Sequence, residues 1–169
     1  MSDFSNFIST IIHKRVMNEP SESFRVEQID HVELLVPSRQ KAAAWYERVL
    51  GLKIVQDMAF FAKDSGGPLM ISSDGGNTKI ALFRGIPSMS SQSSNMVRLA
   101  FRVTADGFFD FLKHIENVAV YDKRNEPVTR DAVVDHEICF SIYFSDPWGT
   151  PLEVTSYDYS ALKKDLAFK

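Results

Sequence analysis

The sequence predicts an α+β fold in which one order of elements, a strand, a helix and three strands, occurs twice. A strand-like run over residues 29–36 precedes a helix over 38–50, and a second such pair covers 97–103 and 104–115. Residue identities barely match between the halves, so the repeat lies in the order of elements. On this ground alone, two related modules and two unrelated α+β halves both remain open.

The first half is delimited by its caps and turns. Pro37 closes the first strand, Ser38 caps the helix, and Gly51 stands where a left-handed C-terminal cap is expected after Leu50. The turn over residues 74–77, Asp-Gly-Gly-Asn, joins the last two strands. The three later strands are predicted at residues 53–61, 69–73 and 78–83.

The second half follows the same plan. Its helix over 104–115 places Phe108, Phe111, Leu112 and Ile115 on one side. A strand begins at 118–121, and strands at 137–144 and 152–157 flank the turn Asp146-Pro147-Trp148-Gly149.

Residues 4–17 carry an apolar stripe with the spacing of an amphipathic helix: Phe4, Phe7, Ile8, Ile11 and Ile12. A helix this short needs a partner surface, so it is expected to pack on the core or on another subunit. Its polar face is not consistently basic, which disfavours a membrane-surface role. The residues that follow, up to 27, have the composition of a polar linker.

Composition narrows the class of protein. The chain has 169 residues, 44% of them hydrophobic and 24% charged, which suits a packed core. Its net charge of -3 argues against a non-specific nucleic-acid binder, and no apolar run reaches membrane-span length. The single cysteine, Cys139, excludes an internal disulfide and a cysteine-based zinc finger. With no signal-peptide pattern and no glycine-rich phosphate loop, we expect a cytoplasmic protein without an organic cofactor.

Three stretches of sequence carry a resemblance to a known family. DHVELLV followed by AAWYERVLGLKIV resembles the opening unit of the vicinal oxygen chelate superfamily, VRLAFRV resembles the start of its second module, and YFSDPWGTPLEVTSYD resembles its closing hairpin. This superfamily includes glyoxalase I, extradiol dioxygenases, and fosfomycin- and bleomycin-resistance proteins. The resemblance implies two βαβββ modules that form an open eight-stranded cup of mixed sheet.

The resemblance also divides the chain. It implies an N-terminal helix and linker over 1–26, one domain over 27–158 with modules at about 27–86 and 95–158, and a tail over 159–169. Relatives of this size pair their modules across subunits, so a homodimer is expected.

The family's metal site maps onto two residues of this chain. The first-strand ligand would be His31 and the last-strand ligand Glu153, a pair suited to Fe, Mn, Ni or Zn. Two positions depart from the pattern, because Arg98 replaces a ligand histidine and Ala81 a glutamate. Arginine has no lone pair for a metal, so the ligand triad is incomplete and metal binding is expected to be weak or absent.

A further motif resembles the extradiol dioxygenase consensus and runs from His136 through Tyr143 to Glu153. In that family, the histidine and tyrosine lie beside the substrate. His136 is therefore a candidate catalytic residue, or a replacement metal ligand, or a loop histidine. Arg98 has three open roles: pairing with Glu153, binding an anionic ligand, or pointing outward.

Two functions remain open at this stage. The first is a glyoxalase-like lyase or dioxygenase-like enzyme that acts on a small molecule with vicinal oxygens, with His136, Tyr143 and Arg98 as its catalytic candidates. The second is non-catalytic binding of an aromatic or anionic compound, as in bleomycin-resistance proteins. Arg98 and Ala81 favour the second function, whereas His31 and the His136 motif favour the first.

Overall fold

The computed structural model describes residues 25–86 and 97–166. The predicted helix over 4–17 lies outside these residues. The first module contains β1 (His31–Val36), α1 (Arg39–Leu50), β2 (Lys53–Ile54), β3 (Leu69–Ser72) and β4 (Lys79–Arg84). The second contains β5 (Leu99–Arg102), α2 (Ala105–Asn117), β6 (Val134–Asp135), β7 (Phe140–Ser145) and β8 (Pro151–Ser156), and α3 (Tyr159–Leu166) follows it. The predicted pair of βαβββ modules is confirmed.

Each module forms one four-stranded mixed sheet. The strand orders are β1-β4-β3-β2 and β5-β8-β7-β6, so the first strand of each module lies beside its last. Both of these pairs are parallel, and the other neighbouring strands are antiparallel. The two sheets are therefore open, and each carries its module's helix on one face.

The caps predicted for α1 are confirmed. The hydroxyl of Ser38 accepts a hydrogen bond from the backbone N–H of Lys41. Gly51 adopts a left-handed conformation with φ of 69°, and its N–H donates to the carbonyl of Glu47. These contacts satisfy backbone groups that a helix end otherwise leaves unpaired.

The second strand of the first module is much shorter than predicted. Instead of a strand over 53–61, the chain forms β2 and then a 3₁₀ helix over Gln56–Lys63. Arg39 at the start of α1 donates hydrogen bonds to the carbonyls of Ala62, Asp64 and Gly67. This long-range contact fixes the end of the 3₁₀ helix beside the start of α1, which local apolar alternation could not reveal.

The segment over 118–121 was also predicted as a strand, and this is wrong. The corresponding strand is β6, and Tyr121 makes only single backbone pairings, with Pro127 and Ser145. The carboxylate of Asp122 accepts the backbone N–H groups of Arg124 and Glu126, which closes a tight turn. That turn sends the chain back on itself before β6 begins.

The two modules share one core on their helix-bearing sides. Trp45 of α1 meets Trp148 of the β7–β8 turn with ring centroids 6.4 Å apart, and one cluster contains the buried apolar side chains of both modules. Residues 159–169, predicted as a tail, contain α3, whose Leu162 is fully buried. None of the helices in the described ranges has the length and apolar character that a membrane span requires.

The opposite faces of both sheets carry exposed residues. In β1, His31, Glu33 and Leu35 are exposed, while the alternate residues face the helix side and are more buried. In β5, Ala100 and Arg102 are likewise exposed. Strand alternation thus makes the edge strands β1 and β5 accessible on this side, whereas the central strands of both sheets are mostly buried on both faces.

Candidate functional site

The exposed face of the second sheet brings several predicted site residues together. The register of the sheet pairs Glu153 in β8 with Ala100 on one side and with Tyr143 in β7 on the other. Paired residues lie on the same face, so these three side chains form one row across the sheet. Arg98, two residues before Ala100, belongs to that face as well.

Arg98 stacks on an aromatic ring in this row. Its guanidinium carbon lies 4.5 Å from the ring centroid of Tyr143, within the range of a cation–π contact. Burial is the main cause that raises the pKa of Tyr143, and the nearby Glu153 carboxylate acts in the same direction. The phenol is therefore protonated at neutral pH and available as a hydrogen-bond donor.

His136 lies at the other side of Tyr143. Its Nε2 and the Tyr143 hydroxyl form a hydrogen bond of 2.7 Å, and the two rings meet edge to face. The backbone holds His136 there, because its N–H donates to the carbonyl of Cys139 across a tight turn. Glu137 in that turn has φ of 68°, a left-handed conformation that reverses the chain.

Glu153 is held by the hydroxyl of Ser141 and not by Arg98. Ser141 donates a hydrogen bond of 2.7 Å to Oε1 of Glu153, and it lies 3.0 Å from the hydroxyl of Thr155. Among the described residues, the ion pairs within 4.0 Å do not include Arg98 with Glu153. Of the roles considered for Arg98, the direct ion pair with Glu153 is wrong, because the guanidinium stacks on Tyr143 instead.

His31 lies in the first sheet, within a separate charged cluster. Its Nδ1 is 2.7 Å from Oδ2 of Asp30, and its Nε2 is 3.8 Å from Oε1 of Glu33. The buried Lys79 donates to Oδ1 of Asp30 at 2.7 Å. This bond, followed by the one with His31, lowers the pKa of Asp30. One ring nitrogen of His31 is thus already engaged.

The metal ligands implied by the family resemblance do not form a site within one protomer. His31 belongs to the first sheet and Glu153 to the second. Across residues 25–86 and 97–166, no three His, Cys, Asp or Glu side chains are grouped so that they could hold a metal ion. The third position carries Arg98, whose guanidinium offers no lone pair. The donor set of a single protomer therefore does not fit the metal.

Sequence reasoning missed three contributors to these faces. Lys79 and Asp30 position His31. Their contact depends on the pairing of β1 with β4, and no local sequence pattern predicts that pairing. Arg102 lies over the ring of Tyr157 with its guanidinium carbon 5.7 Å from the centroid. The spacing of Arg98 and Arg102, four residues apart on one strand, was the available signal that both share a face.

His114 of α2 lies away from the site residues and has a structural contact. Nε2 of His114 in α2 lies 2.7 Å from the backbone carbonyl of Arg48 in α1. This hydrogen bond ties the two helices together, so His114 is only partly exposed.

Comparison with known proteins gives a family match and several similar folds. The model of the Glyoxalase/Bleomycin resistance protein/Dioxygenase superfamily matches residues 28–154. A glyoxalase/dioxygenase from Nostoc punctiforme has 19% sequence identity and a TM-score of 0.57, with 81% of this chain and 98% of that chain covered. None of the curated proteins gives a significant match.

Two further solved structures have the same fold. Oxidase ChaP-H2 has 18% identity and a TM-score of 0.56, with coverage of 80% of this chain and 97% of that one. The fosfomycin resistance protein FosX from Listeria monocytogenes, in complex with Mn(II) and sulfate, has 15% identity and a TM-score of 0.55. That match covers 84% of this chain and 99% of FosX. At these identities the likeness concerns the fold alone.

Proposed function

Because the chain belongs to the Glyoxalase/Bleomycin resistance protein/Dioxygenase superfamily, we propose that the exposed face of its second sheet binds a small anionic molecule with vicinal oxygens. The observation that carries this proposal is the stacking of Arg98 on Tyr143 beside His136. It combines a permanent cation, a protonated phenol and an imidazole on one accessible surface. Binding without chemistry is the function that these contacts support best.

Each group has a defined task in this proposal. Arg98 is held by an aromatic ring and not by a carboxylate, so its N–H donors remain available for an anionic group of the ligand. The Tyr143 hydroxyl donates to one ligand oxygen, and His136 contacts the neighbouring oxygen. Glu153, whose carboxylate accepts a hydrogen bond from Ser141, provides a polar surface on the sheet beside Tyr143.

Calorimetric titration with two probes tests the proposal. We expect 3,4-dihydroxybenzoate to bind about tenfold or more tightly than catechol, because an ionic hydrogen bond to Arg98 contributes about 1.5–3 kcal/mol. Arg98→Gln should abolish this preference. Arg84→Gln removes the same charge from the exposed end of β4 and should leave the preference unchanged. Equal affinity of the wild type for both probes would refute the proposal.

A second candidate function is catalysis, which the 2.7 Å contact between His136 and Tyr143 favours. We propose that His136 accepts a proton from a ligand hydroxyl while Tyr143 fixes the orientation of the imidazole. Incubation with catechols, glyoxalase-type thiohemiacetals or epoxides, followed by product analysis, tests this function. A turnover that is at least about 100-fold lower in His136→Gln than in the wild type supports an enzyme. Equal turnover of the wild type and His136→Gln excludes a role for His136 in catalysis.

We also propose that the protein is a homodimer. His31 and Glu153 occupy the exposed faces of different sheets, and Leu35, Phe60 and Phe61 expose 50%, 57% and 42% of their surface beside the first sheet. A second copy that covers these side chains would also bring the two sheet faces of different protomers towards each other. Light scattering should report twice the mass of the chain for the wild type. For Phe60→Asp it should report the mass of a single chain. A monomeric wild type contradicts this proposal.

A further inference from the structure

An apolar groove runs between the two modules on their helix-bearing side. Its volume is about 1140 Å³, and its walls come from β1, β4 and the end of α1 on one side and from β5 and α2 on the other. Its apolar floor is formed by Val32, Leu99 and Phe101, and Arg98 and Ala100 of the site face line its edge. The three floor side chains are only partly buried.

The rim of this groove exposes large apolar side chains to an unusual degree. Ile29 is 71% exposed and Val97 is 64% exposed, and both line the groove. Contiguous apolar surface of this kind on a folded protein marks a place where something else packs. The lining has no strong excess of either charge, since it contains three acidic and four basic residues: Glu47, Asp74, Asp110, Arg48, Lys79, Arg98 and Arg102.

The chain itself supplies a segment of fitting chemistry at this place. The described residues begin at Arg25. Residues 25–30 are all exposed, and Ile29 among them lines the groove. Twenty-four residues precede Arg25, and the sequence predicts among them an amphipathic helix over 4–17 with five large apolar side chains on one face.

Length and geometry permit this segment to reach the groove. The seven residues 18–24 span up to about 24 Å when extended, enough for the segment to turn back over the rim. The stripe from Phe4 to Ile12 would extend about 12 Å along a helix. An apolar groove and an apolar stripe that are tethered to each other meet at high effective concentration, so the intrachain partner is favoured over a free one.

We propose that residues 4–17 occupy the groove between the modules, with the side chains of Phe4, Phe7, Ile8, Ile11 and Ile12 facing Ile29, Val97 and Phe101. In this arrangement the segment covers the apolar floor of the groove and packs against both modules. Arg98 of the proposed ligand site also lines the groove, so the tests below use melting and dye binding, which need no ligand.

Charge reversal of the stripe in the full-length chain tests the proposal. Ile8→Asp combined with Ile11→Asp places charge on the stripe, while Asn6→Asp combined with Ser9→Asp adds the same charge on the opposite side of the predicted helix. The stripe variant should melt at least about 4 °C lower than the wild type and should bind anilinonaphthalene sulfonate, a dye for exposed apolar surface. The control variant should match the wild type in both measurements.

Cysteine crosslinking then identifies which chain supplies the segment. Ile8→Cys combined with Val97→Cys should form an intrachain disulfide under mild oxidation, and Asn6→Cys with Val97→Cys should not. An interchain disulfide would overturn the proposal in favour of a second copy. Equal melting temperatures and dye binding for the stripe and control variants, or strong dye binding by the wild type, would also overturn it.

Discussion

The hydroxyl of Tyr46 donates a hydrogen bond of 2.8 Å to Oδ2 of Asp146, a residue 100 positions further along the chain. Tyr46 lies in α1 of the first module, and Asp146 begins the turn between β7 and β8 of the second. Oδ1 of Asp146 accepts the backbone N–H groups of Trp148 and Thr150. Both side chains are buried, so one carboxylate joins a turn of one module to the helix of the other.

Tyr46→Phe should destabilise the whole domain. Burial and the charge of Asp146 raise the pKa of Tyr46, so the native hydroxyl is a donor at every working pH. The variant leaves one oxygen of a buried carboxylate without this donor, at a cost of about 1–3 kcal/mol in the free energy of unfolding. Urea denaturation measures this cost. Tyr121→Phe, at a position 42% exposed, should change the free energy of unfolding by less than about 0.5 kcal/mol.

Asp74 should make stability depend on pH in the acid range. Backbone N–H donation from Thr78 and hydrogen bonding with Ser72 lower the pKa of Asp74 to about 2, below the value of about 3.9 expected in the unfolded chain. Its ionised form therefore stabilises the fold above about pH 4, and this contribution is lost as the pH falls through about 2.

Melting curves of Asp74→Asn between pH 2 and pH 7 check that expectation. The variant should melt below the wild type at pH 7, and the difference should shrink as the pH falls towards 2. Asp57→Asn, at an exposed position in the 3₁₀ helix, should give a difference that is small throughout. A constant difference for Asp74→Asn would contradict the pKa shift as its source.

Gly51 should tolerate substitution only at the cost of backbone strain. Its φ of 69° is left-handed, while a Cβ placed there would meet no heavy atom within 4 Å. Gly51→Ala should therefore lower the free energy of unfolding by about 1–2 kcal/mol, and Gly51→Asn by less. Gly66→Ala, where the added Cβ makes only an ordinary contact at 3.8 Å, should be close to neutral.

Arg98→His should raise the affinity of the protein for divalent metal ions above that of the wild type. The new imidazole would lie on the same sheet face as Glu153 and His136, and the substitution removes a cation that repels metal ions. The expected gain in Zn(II) or Ni(II) affinity is larger than the ~10–100-fold effect of residues that only orient ligands. Arg98→Gln removes the same charge without adding a nitrogen ligand, so its gain in metal affinity should be much smaller. Tight stoichiometric binding by the wild type, lost in Glu153→Ala, would show that the site was misread.

Local signals in the sequence predicted most of the fold. Ser38 and Gly51 act through their own backbone neighbourhood, so the start and end of α1 could be predicted. The shortening of β2 depends on Arg39, whose hydrogen bonds reach residues 62–67 and have no local signature. For the same reason the shared face of Arg98, Tyr143 and Glu153 could be expected from alternation, whereas the stacking of Arg98 in place of an ion pair could not.

The pairing of first and last strands also constrains how the protein is made. Asp30 and Lys79, at the start of the β1–β4 pair, are 49 residues apart, so β1 leaves the ribosome long before its neighbour exists. β5 likewise waits for β8, the last strand of the domain. Contacts between residues so distant in sequence form slowly. Translation therefore completes the first sheet early, and the sheet bearing Glu153 can form only after Ser156 has emerged.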